Sequence, residues 1–380
     1  MKNELGQLLL TARVPDEIEA QRRAWDVVRS AYAEREPAGR PLRRVRPVLA
    51  LAVIAALVLA ATVTPVGGWL RERIGTEEQL EPALVRLPDP ASQLLVVSEQ
   101  GPWLVQADGS KRLLGEYEDA SCSPSGSFVV VTEGQRITAV EPDGDARWSL
   151  TKERPLTHPR WAPSGYRVAY HAGDTVRVVA GDGRPDRLLA RGVAPVATAW
   201  RPGREANVLA YADRRGRVHV VDVDSGRQLW RAEPGPRVRE LLWSADGLLL
   251  ALTAGRRSYL YRAGGRLVGL VNVPVARAAF APRGRALAYT TRGADRTSVR
   301  VQAGGEARTL FEGAGQLGDV AWSPDGRWLL VGWPAPDQWL FLRLPQVDNI
   351  ETVEDVRREF DPGGEGVGPF PRVAGWCPVP

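Results

Sequence analysis

Trp322–Val331, WSPDGRWLLV, joins an aromatic residue, a Ser-Pro-Asp-Gly turn and an apolar strand in ten residues. Pro presets φ at one turn position and Gly supplies a positive φ at another, so the phrase reads as a hairpin between two strands. It recurs as CSPSGSFVVV from Cys122, WAPSGYRVAY from Trp161, WRPGREANVLAY from Trp200, WSADGLLLAL from Trp243 and FAPRGRALAY from Phe280. The intervals are 39, 39, 43, 37 and 42 residues, the period of a unit that buries its apolar face only by stacking on copies of itself. Trp376-Cys377-Pro378 begins a seventh phrase, and Leu94–Ser98, LLVVS, is the apolar strand that should follow one. The two complement each other. Seven phrases and seven following strands predict an all-β, seven-bladed β-propeller over residues 90–380, whose ring leaves no open sheet. The strand at Val373–Cys377 is expected innermost in the blade that Leu94–Leu114 begins, and Val218–Val223 and Gln228–Trp230 complete another.

The phrases resemble the WD-like repeats of the Tol-system periplasmic protein, and the match runs over residues 90–378. Asp222–Trp230, DVDSGRQLW, and Glu141–Trp148, EPDGDARW, are similar to the Gly-x-x-x-Trp unit ends of quinoprotein-type propellers. Such a hybrid carries neither family's chemistry with it. The whole layout resembles actinobacterial membrane-anchored propeller proteins, a likeness that implies place and fold.

Between Arg46 and Arg71 lie 24 residues without a charge, long enough to cross the hydrocarbon layer of a bilayer. Residues 47–70 are therefore read as a single transmembrane helix, and 71–89 as a linker. Arg40, Arg43, Arg44 and Arg46 precede the span without an acid among them, whereas Glu72, Glu77 and Glu78 dilute the arginines after it. That asymmetry predicts a cytoplasmic N-terminus and an extracytoplasmic propeller in the cell membrane. The 46 residues ahead of the span suit an uncleaved signal-anchor better than a signal peptide.

Residues 1–46 form a cytoplasmic stub. Within it, 16–35 reads as an amphipathic helix whose stripe is Ile18, Trp25, Val28 and Tyr32, followed by a basic, Pro-rich linker. A lone short helix is marginal in water, so the stripe should dock on a cytoplasmic partner in anti-sigma fashion, on lipid headgroups, or on a second copy.

Of 50 basic residues only three are Lys, and residues 71–380 carry 40 basic against 38 acidic side chains. That near-neutral balance argues against a nucleic-acid partner despite a pI of about 9.4. No Gly-x-Ser-x-Gly elbow, His-Glu-x-x-His or phosphate loop occurs, and His158, His171 and His219 fall in different units without ligand spacing. No cofactor is expected. Trp333 and Trp339, flanking the WPAPDQW loop, are the candidate partner contacts. The longest departure from the repeat, residues 345–371, sits where the outer strand of the last blade is expected and is read as lying over one propeller face. Cys122 and Cys377 occupy near-equivalent places in successive units of the closed ring, either as a disulfide stapling it or as two buried thiols. The function expected is a non-catalytic scaffold or sensor binding a protein, peptide or glycan on the propeller face. The alternatives are a lyase- or lactonase-type enzyme with its site in the central channel, and transmembrane signalling through the stub.

Overall fold

The computed structural model describes residues 87–88 and 92–379, apart from 204–206, 236, 294, 346, 348 and 362–363. The expected anchor at 47–70 and the stub stripe Ile18, Trp25, Val28 and Tyr32 lie outside these residues. Among the described residues no helix is long and apolar enough to cross a membrane.

Seven four-stranded antiparallel sheets form the seven blades of a propeller. In blades 2 to 7 the innermost strands are Asp119–Cys122, Leu156–Trp161, Ala199–Trp200, Val238–Trp243, Val275–Phe280 and Val320–Trp322. Each ends on the first residue of a repeat phrase, and the turn then feeds the buried second strand. Blade 1 is built from both ends of the domain: Arg372–Pro378 pairs with Ser92–Ser98, which pairs with Gly101–Val105 and then Lys111–Leu113.

Local chemistry explains why the phrase carries these residues. Ser323 is fully buried, its hydroxyl donates to Asp325 at 2.6 Å, and it accepts the Trp328 amide at 3.0 Å. Asp325 also accepts the Arg327 amide at 2.9 Å, while Gly326 takes φ 74°, a value costly for residues with a Cβ. Ser244 and Asp246 repeat the arrangement at 2.6 Å. At two of the phrases the aromatic residue ties neighbouring blades together. Trp200 Nε1 donates to Arg160 O at 2.9 Å and Trp322 Nε1 to Ala279 O at 3.1 Å, in each case the residue just before the preceding blade's own aromatic.

The two Gly-x-x-x-Trp ends do the equivalent job at the rim. Trp148 Nε1 donates to Gly181 O at 2.8 Å and Trp230 Nε1 to Ala263 O at 2.6 Å, both in the next blade. A Cβ on Gly183 or Gly265 would meet those indole rings at 3.0 Å.

Closure is reinforced on both flanks of the last strand. Cys377 is bonded to Cys122 of blade 2 as a disulfide with Cα atoms 5.8 Å apart, and Arg372 donates to Asp119 of the same blade at 2.5 Å. On the other side the Val373 amide donates to Asp319 of blade 7 at 3.1 Å.

The insertion at 345–371 stands where the outer strand of the last blade is expected, and beyond that strand it enters the core. Ile350–Val353 is the outer strand of blade 7, and the short helix Val356–Glu359 drives Val356 and Phe360 into the core between blades 7 and 1. Phe360 has no exposed surface. It lies 6.0 Å from the Trp103 ring and 5.3 Å from that of Trp339. Apolar burial, not loop polarity, fixes this segment.

Candidate functional site

The residue three positions before each phrase lies on the wall of one cavity at the centre of the ring, where the inner strands begin. These residues are Asp119, His158, Ala197, Glu240, Arg277, Asp319 and Val373, and the cavity is about 760 Å³. Arg160, Arg239 and Arg372 join them. Side chains alternate across a strand, so a fixed offset from the phrase selects one wall. The ladders of blades 1, 3, 5 and 6 shift register, at Val373/Gly375, Thr157/Arg160, Val238/Glu240 and Val275/Arg277, and His158 adopts φ 56°. Bulges of this kind re-aim side chains, here at the mouth of the channel.

Two clusters occupy the wall. In the first, Asp119 accepts Arg372 at 2.5 Å and the Ala120 amide at 2.9 Å, with His158 Nδ1 3.6 Å away. Burial opposes ionisation of Asp119, but His158, Arg160 and Arg372 together outweigh it and hold the carboxyl far below the usual range. Burial first, then the charges of His158 and Arg160, pushes His171 down to about 4. His171 lies behind His158 with ring centroids 5.4 Å apart, and it is neutral at physiological pH.

In the second cluster, Asp319 accepts Arg277 at 2.9 Å as well as the Val373 amide at 3.1 Å. Beside it, burial raises Glu240 to about 7 against the pull of Arg277 and the Ala278 amide, with Asp319 adding to the rise. Glu240 Oε2 is buried without a hydrogen-bond partner, as are the hydroxyls of Thr132 and Thr198 on the same wall. Arg160 and Arg239 form no ion pair among the described residues, whereas Arg277 and Arg372 each have one.

A raised carboxyl takes up a proton on folding between its unfolded value of 4.5 and about 7, so its contribution to stability is complete below 4.5 and is lost as pH rises through 7. Glu240→Gln should therefore gain on the native protein as pH rises, by about 3 kcal/mol in all between pH 4.5 and 8, of which about 1.3 kcal/mol falls between pH 6 and 8. His171 has the opposite sign, because its depressed value removes stability as pH falls from 6.5 towards 4. Comparing urea unfolding of the two proteins across pH 5–8 isolates the carboxyl. A difference that does not change with pH would refute the assignment.

The expected tryptophan contacts sit elsewhere. Trp339 is wholly buried between blades 7 and 1, so a partner cannot reach it without opening the core. Trp333 is half-buried, donates to Ala314 O at 2.9 Å and packs edge-on against Phe311 at 5.3 Å, clamping blade 7 to blade 6. A second cavity, of about 730 Å³, lies between blades 2 and 3 and is lined by the stacked Phe128 and Trp161 rings and the exposed Tyr166. Among the described residues no group of three or more His, Cys, Asp or Glu could hold a metal ion.

The charged wall was missed in the sequence because its residues lie before the phrase, in strands whose central position is set only by ring closure. The signal was present. Five of the seven residues at the offset of three ionise, in strands otherwise largely apolar.

No family model and no curated protein matches the chain. Among solved structures it is similar to Kuenenia stuttgartiensis hydrazine synthase, at 17% identity over 59% of this chain and 76% of that chain, with a TM-score of 0.49. A likeness of that size says nothing about chemistry.

Proposed function

We propose that the chain is a single-pass membrane protein, N-terminus inside, whose extracytoplasmic propeller binds a protein, peptide or glycan at the mouth of its channel without turning it over. The observation that carries this reading is the mouth itself, where all seven blades deliver side chains to one cavity and four inner strands are bulged to aim them. The uncharged run at 47–70 behind four arginines supports the anchor, and a Cys122–Cys377 disulfide suits an oxidising compartment. A stub helix that passes occupancy of the mouth to a cytoplasmic partner extends the same reading. The competing reading, an enzyme with its site in the channel, draws on Glu240, whose raised carboxyl is suited to general acid or base work.

The test is a photo-crosslinking residue at position 195, exposed on the mouth, in whole cells. A partner captured there and lost on blocking the channel is the expected result. Protease added to spheroplasts should digest the propeller and spare the stub. Full protection of the propeller, or capture only at positions remote from the mouth, would overturn the proposal.

A further inference from the structure

The mouth has more donors than acceptors. Both oxygens of Asp119 and of Asp319 are engaged, by Arg372, Ala120 N–H and His158 in one case and by Arg277 and Val373 N–H in the other. Among the described residues the Arg160 side chain donates only to the neighbouring Pro159 carbonyl, at 2.8 Å, and that of Arg239 only to the Gly255 and Val275 carbonyls. Neither has a carboxylate partner among the described residues. On the same wall Glu240 Oε2 and the hydroxyls of Thr132 and Thr198 are buried and unpartnered, and buried polar atoms of this kind normally have a partner.

One kind of ligand group answers both imbalances. An oxyanion accepts from guanidinium N–H groups and also from a carboxyl O–H or a hydroxyl. Charge narrows the choice. With Glu240 uncharged, the four arginines of the wall face Glu118, Asp119 and Asp319, a surplus of one positive charge. That surplus suits a monoanionic carboxylate better than a phosphate dianion. Resting on the reading that the mouth is a binding site, we propose that it is a receptor for a carboxylate group presented by an acidic peptide, engaged by Arg160 and Arg239 and hydrogen-bonded by the Glu240 carboxyl.

Glu240 makes such binding pH-dependent. The groups facing it are Arg239 on its own strand, Arg277 and the Ala278 amide on the next blade, and Asp319 beyond, while Arg292 stands beside Arg239. The stretch Pro195–Thr198 on the preceding blade brings no titratable side chain. Burial holds Glu240 near 7, so its proton is present at pH 6 and mostly gone at pH 8, where the ionised group repels an anion. If only the protonated form binds, affinity falls about tenfold between those two values.

The experiment uses the full chain in detergent and titrates it with a blocked hexaglutamate peptide, its hexaglutamine counterpart and inorganic phosphate, at pH 6 and 8. Hexaglutamate should bind, hexaglutamine should not, phosphate should bind more weakly, and hexaglutamate binding should weaken about tenfold at pH 8. The peptide carboxyls titrate near 4.3, so they do not change over this range. With His158 replaced by Gln in both proteins, so that no other imidazole of the wall contributes, Glu240→Gln should abolish the pH dependence. Arg239→Ala, at an exposed position, should weaken binding about tenfold without the folding risk of replacing Arg160. Equal binding of the two peptides, phosphate binding as tight as hexaglutamate, or a pH slope that survives Glu240→Gln in the His158→Gln background would overturn the proposal. A partner that still crosslinks at position 195 in the presence of excess hexaglutamate would sink the carboxylate assignment alone and leave the binding reading standing. Absence of any crosslinked partner at the mouth would remove both.

Discussion

Cys377→Ser should lower the unfolding free energy of the oxidised protein by about 4 kcal/mol, because the bond it removes closes a loop spanning 255 residues. The size follows from the restriction such a link places on the unfolded chain, which grows with the length it closes. Position adds to it. The bond joins the closing strand of blade 1 to the inner strand of blade 2, so without it only hydrogen bonds, packing and the Arg372–Asp119 pair keep that strand from peeling away. Urea unfolding checks this under non-reducing conditions. A reducing agent should bring the native protein to the level of the variant and leave the variant unchanged, and coincident unfolding curves for the two oxidised proteins would refute it.

Phe360→Ala should cost about 3–5 kcal/mol, as expected for removing a large, fully buried ring. The ring is wedged between Trp103 of blade 1 and Trp339 of blade 7, with Lys111 Nζ 5.4 Å above it. Lys111 also bonds the Glu359 carboxylate, and Gln100 donates to Asp361 at 2.7 Å, so the segment is latched to blade 1 on either side of the ring. Phe360→Leu, which keeps most of the volume, should cost far less. A loss below about 1 kcal/mol for Phe360→Ala would show that the segment is an ornament and not part of the core.

The number of blades and the manner of closure were legible because both depend on local turn chemistry repeated at a near-constant interval. Gly326 and Asp325 announce a turn wherever they stand, and Trp376 matched to Leu94 announces a shared blade. Tryptophans were harder. An exposed contact and a core residue can share the same period, and Trp339 fell to the core because Phe360, distant from Trp103 in sequence, packs against both rings. The insertion looked like a loop because its polar residues outnumber Val356 and Phe360, yet those two decide where it goes. The wall of the channel was least legible of all. Arg160 and Glu240 come from different blades, and only the geometry of the ring brings them to one cavity.

Ser92–Ser98 has two neighbours in its sheet, and one of them, Arg372–Pro378, follows it by some 270 residues. At about 5–20 residues per second, a ribosome needs on the order of tens of seconds to make that stretch. Throughout that time the flank of LLVVS awaiting its late partner is a bare apolar template, open to any nascent strand nearby. Expression of this protein should accordingly respond to holdase supply and to growth temperature more than its finished stability would suggest.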